Sequence, residues 1–239
     1  MPRPCDVHVH LVPALFEPDD LAGGVAVMID VLRASTTICT ALQHGAEAVV
    51  PLSEVPRTLA LAKSDERGIA GGERDGLPPE GFDLGNSPSM YTPASIGGKV
   101  VYFTTTNGTQ ALARMHQSAE IFVGCFANRR ALRDRLAGET RDVHLVCAGT
   151  DGAITAEDVL FAGAIAADLG AGTDPSDPIA TQMATRLFAA TPDLHAAVRA
   201  GQGGQNLVRL GLGDDIAVAT TEDQFEIVPA LQDGRITAG

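Results

Sequence analysis

The chain has 239 residues, of which 45% are hydrophobic and 4% aromatic, with no tryptophan. At roughly 100–200 residues per domain this is one large or two small domains, with a core built from Ala, Val, Leu and Ile rather than rings. Seventeen Lys and Arg against thirty Asp and Glu leave a formal charge of −13, which excludes nonspecific nucleic-acid binding through a basic patch and docking on an anionic membrane. No run reaches the roughly 18 apolar residues of a membrane span, and residues 1–12 lack the pattern of a secretory leader, so a cytoplasmic protein is expected.

Apolar runs at residues 7–12, 25–31, 48–52, 100–103, 121–125 and 143–147 predict buried strands. Helical spacing predicts helices over 36–44, 55–63, 110–117, 129–136 and 155–169, then over 179–190 and 194–200. Strands alternating with helices predict an α/β domain around a largely parallel sheet. Residues 66–98, rich in Gly and Pro, break the rhythm and read as a long functional loop. Residues 170–178 read as a surface connector and 223–228 as a late strand at the sheet edge. Ser35-Thr36-Thr37 before Ala41-Leu42 is echoed by Thr104-Thr105-Thr106 before Ala111-Leu112. The echo fits a single domain over residues 1–239 with two similar α/β halves, and it fits two ordinary βαβ units equally well.

The turns that follow these strands carry the chemistry. Asp30 lies just past one apolar run, at the strand end where open α/β sheets place ligands. Arg33 adds a planar donor fork, and Ser35 and Thr36 stand where a helix begins, able to cap it or to hold a phosphate. Thr104-Thr105-Thr106-Asn107-Gly108-Thr109 repeats the arrangement as a donor-rich cradle. Glu73, Arg74, Asp83 and Asn86 fall in the irregular stretch, as an acidic loop suited to a cation. Glu157 and Asp158 open a helix after the turn Cys147 to Gly152; they complement its dipole or supply magnesium ligands.

Other chemistries fail on spacing. Cys5, Cys39, Cys125 and Cys147 form no C-x-x-C pair, and the three within apolar runs read as small buried hydrophobes. A cysteine phosphatase needs Arg six positions after its Cys, where Gly45, Ala131 and Ala153 stand. No G-x-x-x-x-G-K-[ST] loop occurs. Asp6, His8 and His10 share one strand face; a metal cluster of the phosphoesterase kind would need partner motifs that Ala217 and Ser87 interrupt, leaving histidines of an edge strand. The D-x-D start of haloacid dehalogenases fails at Leu32.

Taken in order, Asp30-Val31-Leu32-Arg33-Ala34-Ser35-Thr36-Thr37, Gly72-Glu73-Arg74, the stretch from Gly81 to Pro88, Thr104 to Thr109, Cys147-Ala148-Gly149, Glu157-Asp158 with Ala162-Gly163, and Phe225-Glu226-Ile227-Val228-Pro229 resemble the 2-phosphosulfolactate phosphatase family. The resemblance runs through nearly the whole chain and is weakest over residues 1–21. It implies a three-layer α/β/α fold with a mixed sheet, and Mg²⁺-dependent hydrolysis of 2-phospho-3-sulfolactate to 3-sulfolactate in coenzyme M biosynthesis. The partner is then a small anionic phosphorylated substrate, and a homodimer is compatible with this reading.

On that expectation Asp30, Glu73, Asp83, Glu157 and Asp158 are the metal ligands. Asp30, Arg33 and Arg74 are catalytic, with the two guanidiniums clamping sulfonate or carboxylate. Ser35, Thr36, Asn86, Thr105, Thr106, Asn107 and Gly108 hold the phosphate. Attack by water at the metal and attack by Asp30 stay open, as do another small organic phosphate as substrate and a noncatalytic anion binder. The acids weigh against the last, since they repel an anion unless a cation stands between.

Overall fold

In the computed structural model, which describes residues 5–239, every predicted apolar run except 223–228 contributes a strand. In chain order the elements are β1 (Val7–His10), β2 (Val25–Ile29), α1 (Ala34–Gln43), β3 (Ala48–Pro51), α2 (Val55–Ser64), β4 (Gly68–Gly72) and α3 (Pro93–Ile96). Then come β5 (Val100–Thr104), α4 (Gly108–Arg114), β6 (Glu120–Gly124), α5 (Arg129–Leu136), β7 (Val143–Cys147) and α6 (Ala156–Asp168). The last part holds α7 (Ile179–Ala189), α8 (Leu194–Ala200), α9 (Gln202–Arg209), α10 (Asp214–Ala219), β8 (Ala230–Gln232) and β9 (Arg235–Thr237).

The strands form one nine-stranded mixed sheet in the order β1-β7-β2-β6-β8-β9-β3-β5-β4, the centre of an α/β fold with helices on both faces. Side chains alternate across a strand, and β2 shows both faces at work. Val25, Val27 and Ile29 join a core with α5, α6 and α8 residues, while Ala26 and Met28 join the opposite core with Ile38 of α1 and Leu112 of α4. Every residue of β2 and β7 is buried, as a doubly covered parallel sheet requires. Cys39, Cys125 and Cys147 are buried, unbridged members of these cores. Among the described residues no helix is long and apolar enough to cross a membrane.

Two expectations need correction. Residues 66–98 are not wholly a loop: they hold the edge strand β4, parallel to β5. Its sequence, GIAGG, hid it, because glycine weakens strand preference. Here glycine is required. Gly72 has φ +127°, and a Cβ there would lie 1.9 Å from the Thr104 carbonyl oxygen.

Residues 223–228 form no strand. The late strands are β8 and β9, turning at Asp233-Gly234 with φ of 50° and 76°, the positive values a tight two-residue hairpin turn needs. This hairpin lies mid-sheet, not at an edge. β8 pairs antiparallel with β6, and β9 pairs antiparallel with β3, joining two parallel blocks. The blocks therefore run in opposite senses. A twist of roughly 20–25° per strand over the steps from β2 to β5 helps bring their carboxyl ends towards one place.

Ile236, fully buried at this junction, tests the hairpin's weight. Ile236→Ala should cost about 2–4 kcal/mol in chemical denaturation, the range for a buried branched side chain. A cost below about 1 kcal/mol would mean that the hairpin does not hold the blocks together.

Candidate active site

Asp30 follows β2 directly, and its carboxylate is fixed from the next helix: Oδ1 accepts the Ala34 N–H at 3.1 Å. The Leu32–Arg33 peptide is cis. Ser35 and Thr36 are fully buried and turned into this junction. Ser35 Oγ accepts the Asp30 N–H at 3.2 Å, and the Thr36 hydroxyl donates to the Val31 carbonyl at 2.8 Å. Both serve the turn, and neither lines the cavity described below.

Glu73, just past β4, bridges two loops. Its Oε1 accepts the Thr106 N–H at 2.7 Å and its Oε2 the Gly76 N–H at 2.8 Å. The Thr104–Thr109 turn thereby lies against Asp30. A Cβ on Gly108 would sit 2.9 Å from Asp30 Oδ2, so only glycine leaves that oxygen room. Thr105 is buried; its Oγ1 accepts the Thr109 N–H at 3.4 Å. Asn107 Oδ1 accepts the Asp151 N–H at 3.1 Å.

The first turn of α6 supplies the other acids. Asp158 braces the ends of two neighbouring strands: Oδ1 accepts the Val31 N–H at 2.8 Å and Oδ2 the Gly149 N–H at 3.0 Å. Glu157 packs on α9, where a Cβ on Gly203 would lie 2.2 Å from its Oε1.

These pieces surround a cavity of about 310 Å³ lined by Asp30, Leu32, Arg33, Glu73, Asp75, Gly76, Asn86, Thr106, Asn107, Thr150, Asp151 and one face of α9. Arg33 borders it but is partly committed. It is buried, paired with Asp215 at 2.8 Å and donating to the Gly76 carbonyl at 2.7 Å. Of the residues expected at the site, Ser35, Thr36, Arg74, Asp83, Thr105, Gly108, Glu157 and Asp158 stand outside the lining. Arg74 donates to the carbonyls of Glu73 and Ser53 and to Thr104 Oγ1. Asp83 is exposed, with Oδ2 accepting the Ala70 N–H at 2.8 Å.

Asp215 and the α9 wall were not anticipated. They come from chain positions far from the strand-end turns, so only the folded chain brings them here. The Asp6, His8 and His10 stretch lies on the edge strand β1. Among the described residues, Asp6, His8 and Asp142 form the one trio of such side chains with ligand atoms all within 4.8 Å of one another, and none of them lines the cavity.

Negative charge gathers at Asp30 on the cavity wall and behind that wall at Glu157 and Asp158. Burial, then the Asp158 charge and Glu73, push the Asp30 carboxyl up to about 8. Burial raises Glu157 to about 7, with Asp30 adding to it, and raises Asp158 to about 7, with Glu157 adding to it.

This donor set fits a hard cation. All its groups are oxygens, Glu157 Oε2 is buried with no hydrogen-bond partner, and Asp158 and Glu73 have both oxygens engaged by backbone N–H groups. Asp30 Oδ2 and the Glu157 carboxylate have the most capacity left and would be the first ligands. Mg²⁺ is commonly held by one or two carboxylates, with water and substrate phosphate completing its shell. Thr106 Oγ1 and Asn86 Oδ1 are also buried without partners, beside the same space.

Residues 10–234 match the family model described as 2-phosphosulpholactate phosphatase. A protein of Caldanaerobacter subterraneus subsp. tengcongensis named probable 2-phosphosulfolactate phosphatase is 38% identical over 218 residues, 90% of each chain. Proteins of the same name from Thermotoga petrophila and Symbiobacterium thermophilum are 40% and 37% identical, covering 87% and 95% of this chain and 89% and 98% of their own.

Raised carboxyls give a pH signature. Their contribution to stability is full below the ordinary carboxyl range and is lost as pH rises through the folded values of about 7 to 8. Half-buried His10 and buried His144, lowered from 6.5 to about 4 chiefly by desolvation, act only below 6.5. In EDTA the melting temperature should therefore fall between pH 6.5 and about 8, and Asp30→Asn should flatten the fall. A melting temperature that rises over this window would contradict the placement of these acids.

Proposed function

Because the chain belongs to the 2-phosphosulfolactate phosphatase family, we propose that it hydrolyses 2-phospho-3-sulfolactate with Mg²⁺ as cofactor, a step of the coenzyme M biosynthetic type. The ester P–O bond breaks, the hydroxyl of water goes to phosphorus, and the remaining proton goes to the leaving oxygen. The observation that carries this reading is the group of buried acids at and behind the cavity wall, raised together with no cationic partner on Glu157 or Asp158 among the described residues. A site for an anion alone has no use for them.

In this reading Asp30 and Glu157 hold the cation, and Glu73 and Asp158 fix the loops that present them. Bound there, Mg²⁺ supplies positive charge against the phosphoryl oxygens as the P–O bond breaks. The chain's own groups bind and orient the substrate. The Thr106 hydroxyl lacks a partner and is placed to donate to a phosphate oxygen; the Asn86 amide is placed beside it. Asp215 and the Gly76 carbonyl hold the Arg33 fork rigid, so its remaining N–H groups meet developing negative charge without reorganising. Leu32, Leu207 and Leu210 give the cavity apolar walls that limit water.

The test is phosphate release from a panel of phosphomonoesters, including 2-phosphosulfolactate and phospholactate, with Mg²⁺ and with EDTA. Mg²⁺-dependent release favouring the sulfonated ester is expected; no release from folded protein would point to a binder instead. Asp30→Asn should lower kcat by at least about 100-fold, the scale of losing a preorganised electrostatic group, and an active variant would remove Asp30 from the reaction. Glu157→Gln should raise the Mg²⁺ concentration for half-maximal rate by about 10- to 100-fold.

A further inference from the structure

The α9 wall of the cavity carries a charge that the site's other groups do not neutralise. Gly203, Asn206, Leu207 and Arg209 of this helix, with Leu210 just past its end, line the cavity, at spacings that place them on adjoining faces. Two arginines are among the lining residues, Arg33 and Arg209. Arg33 is buried against Asp215. Arg209 is exposed, its Nη2 donates to the neutral Asn206 Oδ1, and among the described residues it has no carboxylate partner.

The two ends of this wall differ in charge. Gly203 abuts Glu157, and Arg209 stands six residues on, about 9 Å along the helix at 1.5 Å per residue. A ligand lying along α9 runs from Gly203, backed by Glu157, to Arg209, where Asp75 also lines the cavity without forming an ion pair with it among the described residues. Its chemistry follows: one anionic group that shares a hard cation with the acids, and a second that needs N–H donors.

The substrate named above has that character. Its phosphate is a good partner for Mg²⁺. Its sulfonate is a weakly basic, diffuse anion best met by a planar N–H fork. The sulfonate is carried on the next carbon of the chain, farther from the phosphate-bearing carbon than the carboxylate. We propose that Arg209, held by Asn206, is the specificity-determining residue that receives the sulfonate; this rests on the phosphatase reading given above.

The test compares kcat/KM for 2-phosphosulfolactate and for phospholactate, which lacks the sulfonate, in the wild type and in Arg209→Ala. The ratio between the two substrates should fall by about 10- to 100-fold, the worth of one charged hydrogen bond. The change should lie mainly in KM, and Arg209→Lys should recover part of it. Circular dichroism and melting temperature check that both variants fold.

An unchanged ratio overturns the inference, whether both activities drop or neither does. If the wild type releases phosphate from neither ester, the phosphatase reading fails and calorimetry with 3-sulfolactate and lactate decides this inference separately. Preference for 3-sulfolactate in the wild type, lost in Arg209→Ala, supports it. Equal binding by the two proteins overturns it.

Discussion

The burial of like charges at converging strand ends is the constraint on which the rest of the site depends. An isolated carboxylate is expensive to remove from water, and this fold brings Asp30, Glu73, Glu157 and Asp158 into one buried region. Backbone N–H groups carry most of the compensation. Asp158 takes those of Val31 and Gly149, Glu73 those of Thr106 and Gly76, and Asp30 that of Ala34. The bonds to Val31 and Thr106 also tie one loop to another, so these acids organise the loops that surround them. Glu157, in the first turn of α6, gains from the helix dipole but keeps an oxygen without a partner. The incomplete compensation is what the proposed cation would complete.

Close approach of backbone to charge is the second requirement. Gly108 leaves space for Asp30 Oδ2 and Gly203 for Glu157 Oε1. A methyl group at either position forces a carboxylate to move. The site is thus defined by absent side chains as much as by present ones, and its precision comes from main chain held in place by the sheet.

This explains what the sequence disclosed and what it withheld. Strands buried on both faces, such as β2 and β7, are continuous apolar runs, and the polar turns after them stand out by contrast. Asp30, Thr106 and Glu157 stood out because each follows such a run and its turn, whereas Glu73 was singled out only as an acid in the irregular stretch. β4 was not, since Gly68, Gly71 and Gly72 read as loop until the neighbouring strand is seen against them. β8 and β9 are three residues each, too short for a period to show. Arg74 and Arg209 show the limit most plainly. Both are arginines near polar residues, and only the fold reveals that Arg74 spends its donors on carbonyls while Arg209 faces the cavity.

The position of the β8–β9 hairpin bears on how the molecule is made. Of the nine strands these are the last to leave the ribosome, yet they occupy the middle of the sheet. Until they emerge, β6 and β3 each present an unpaired edge, the kind of surface that invites pairing with another chain. The contacts that close the sheet are also among its most distant in sequence, which slows the closing step. A nascent chain therefore holds two open half-sheets during synthesis, and shielding those edges falls to chaperones or to the speed with which the final residues arrive.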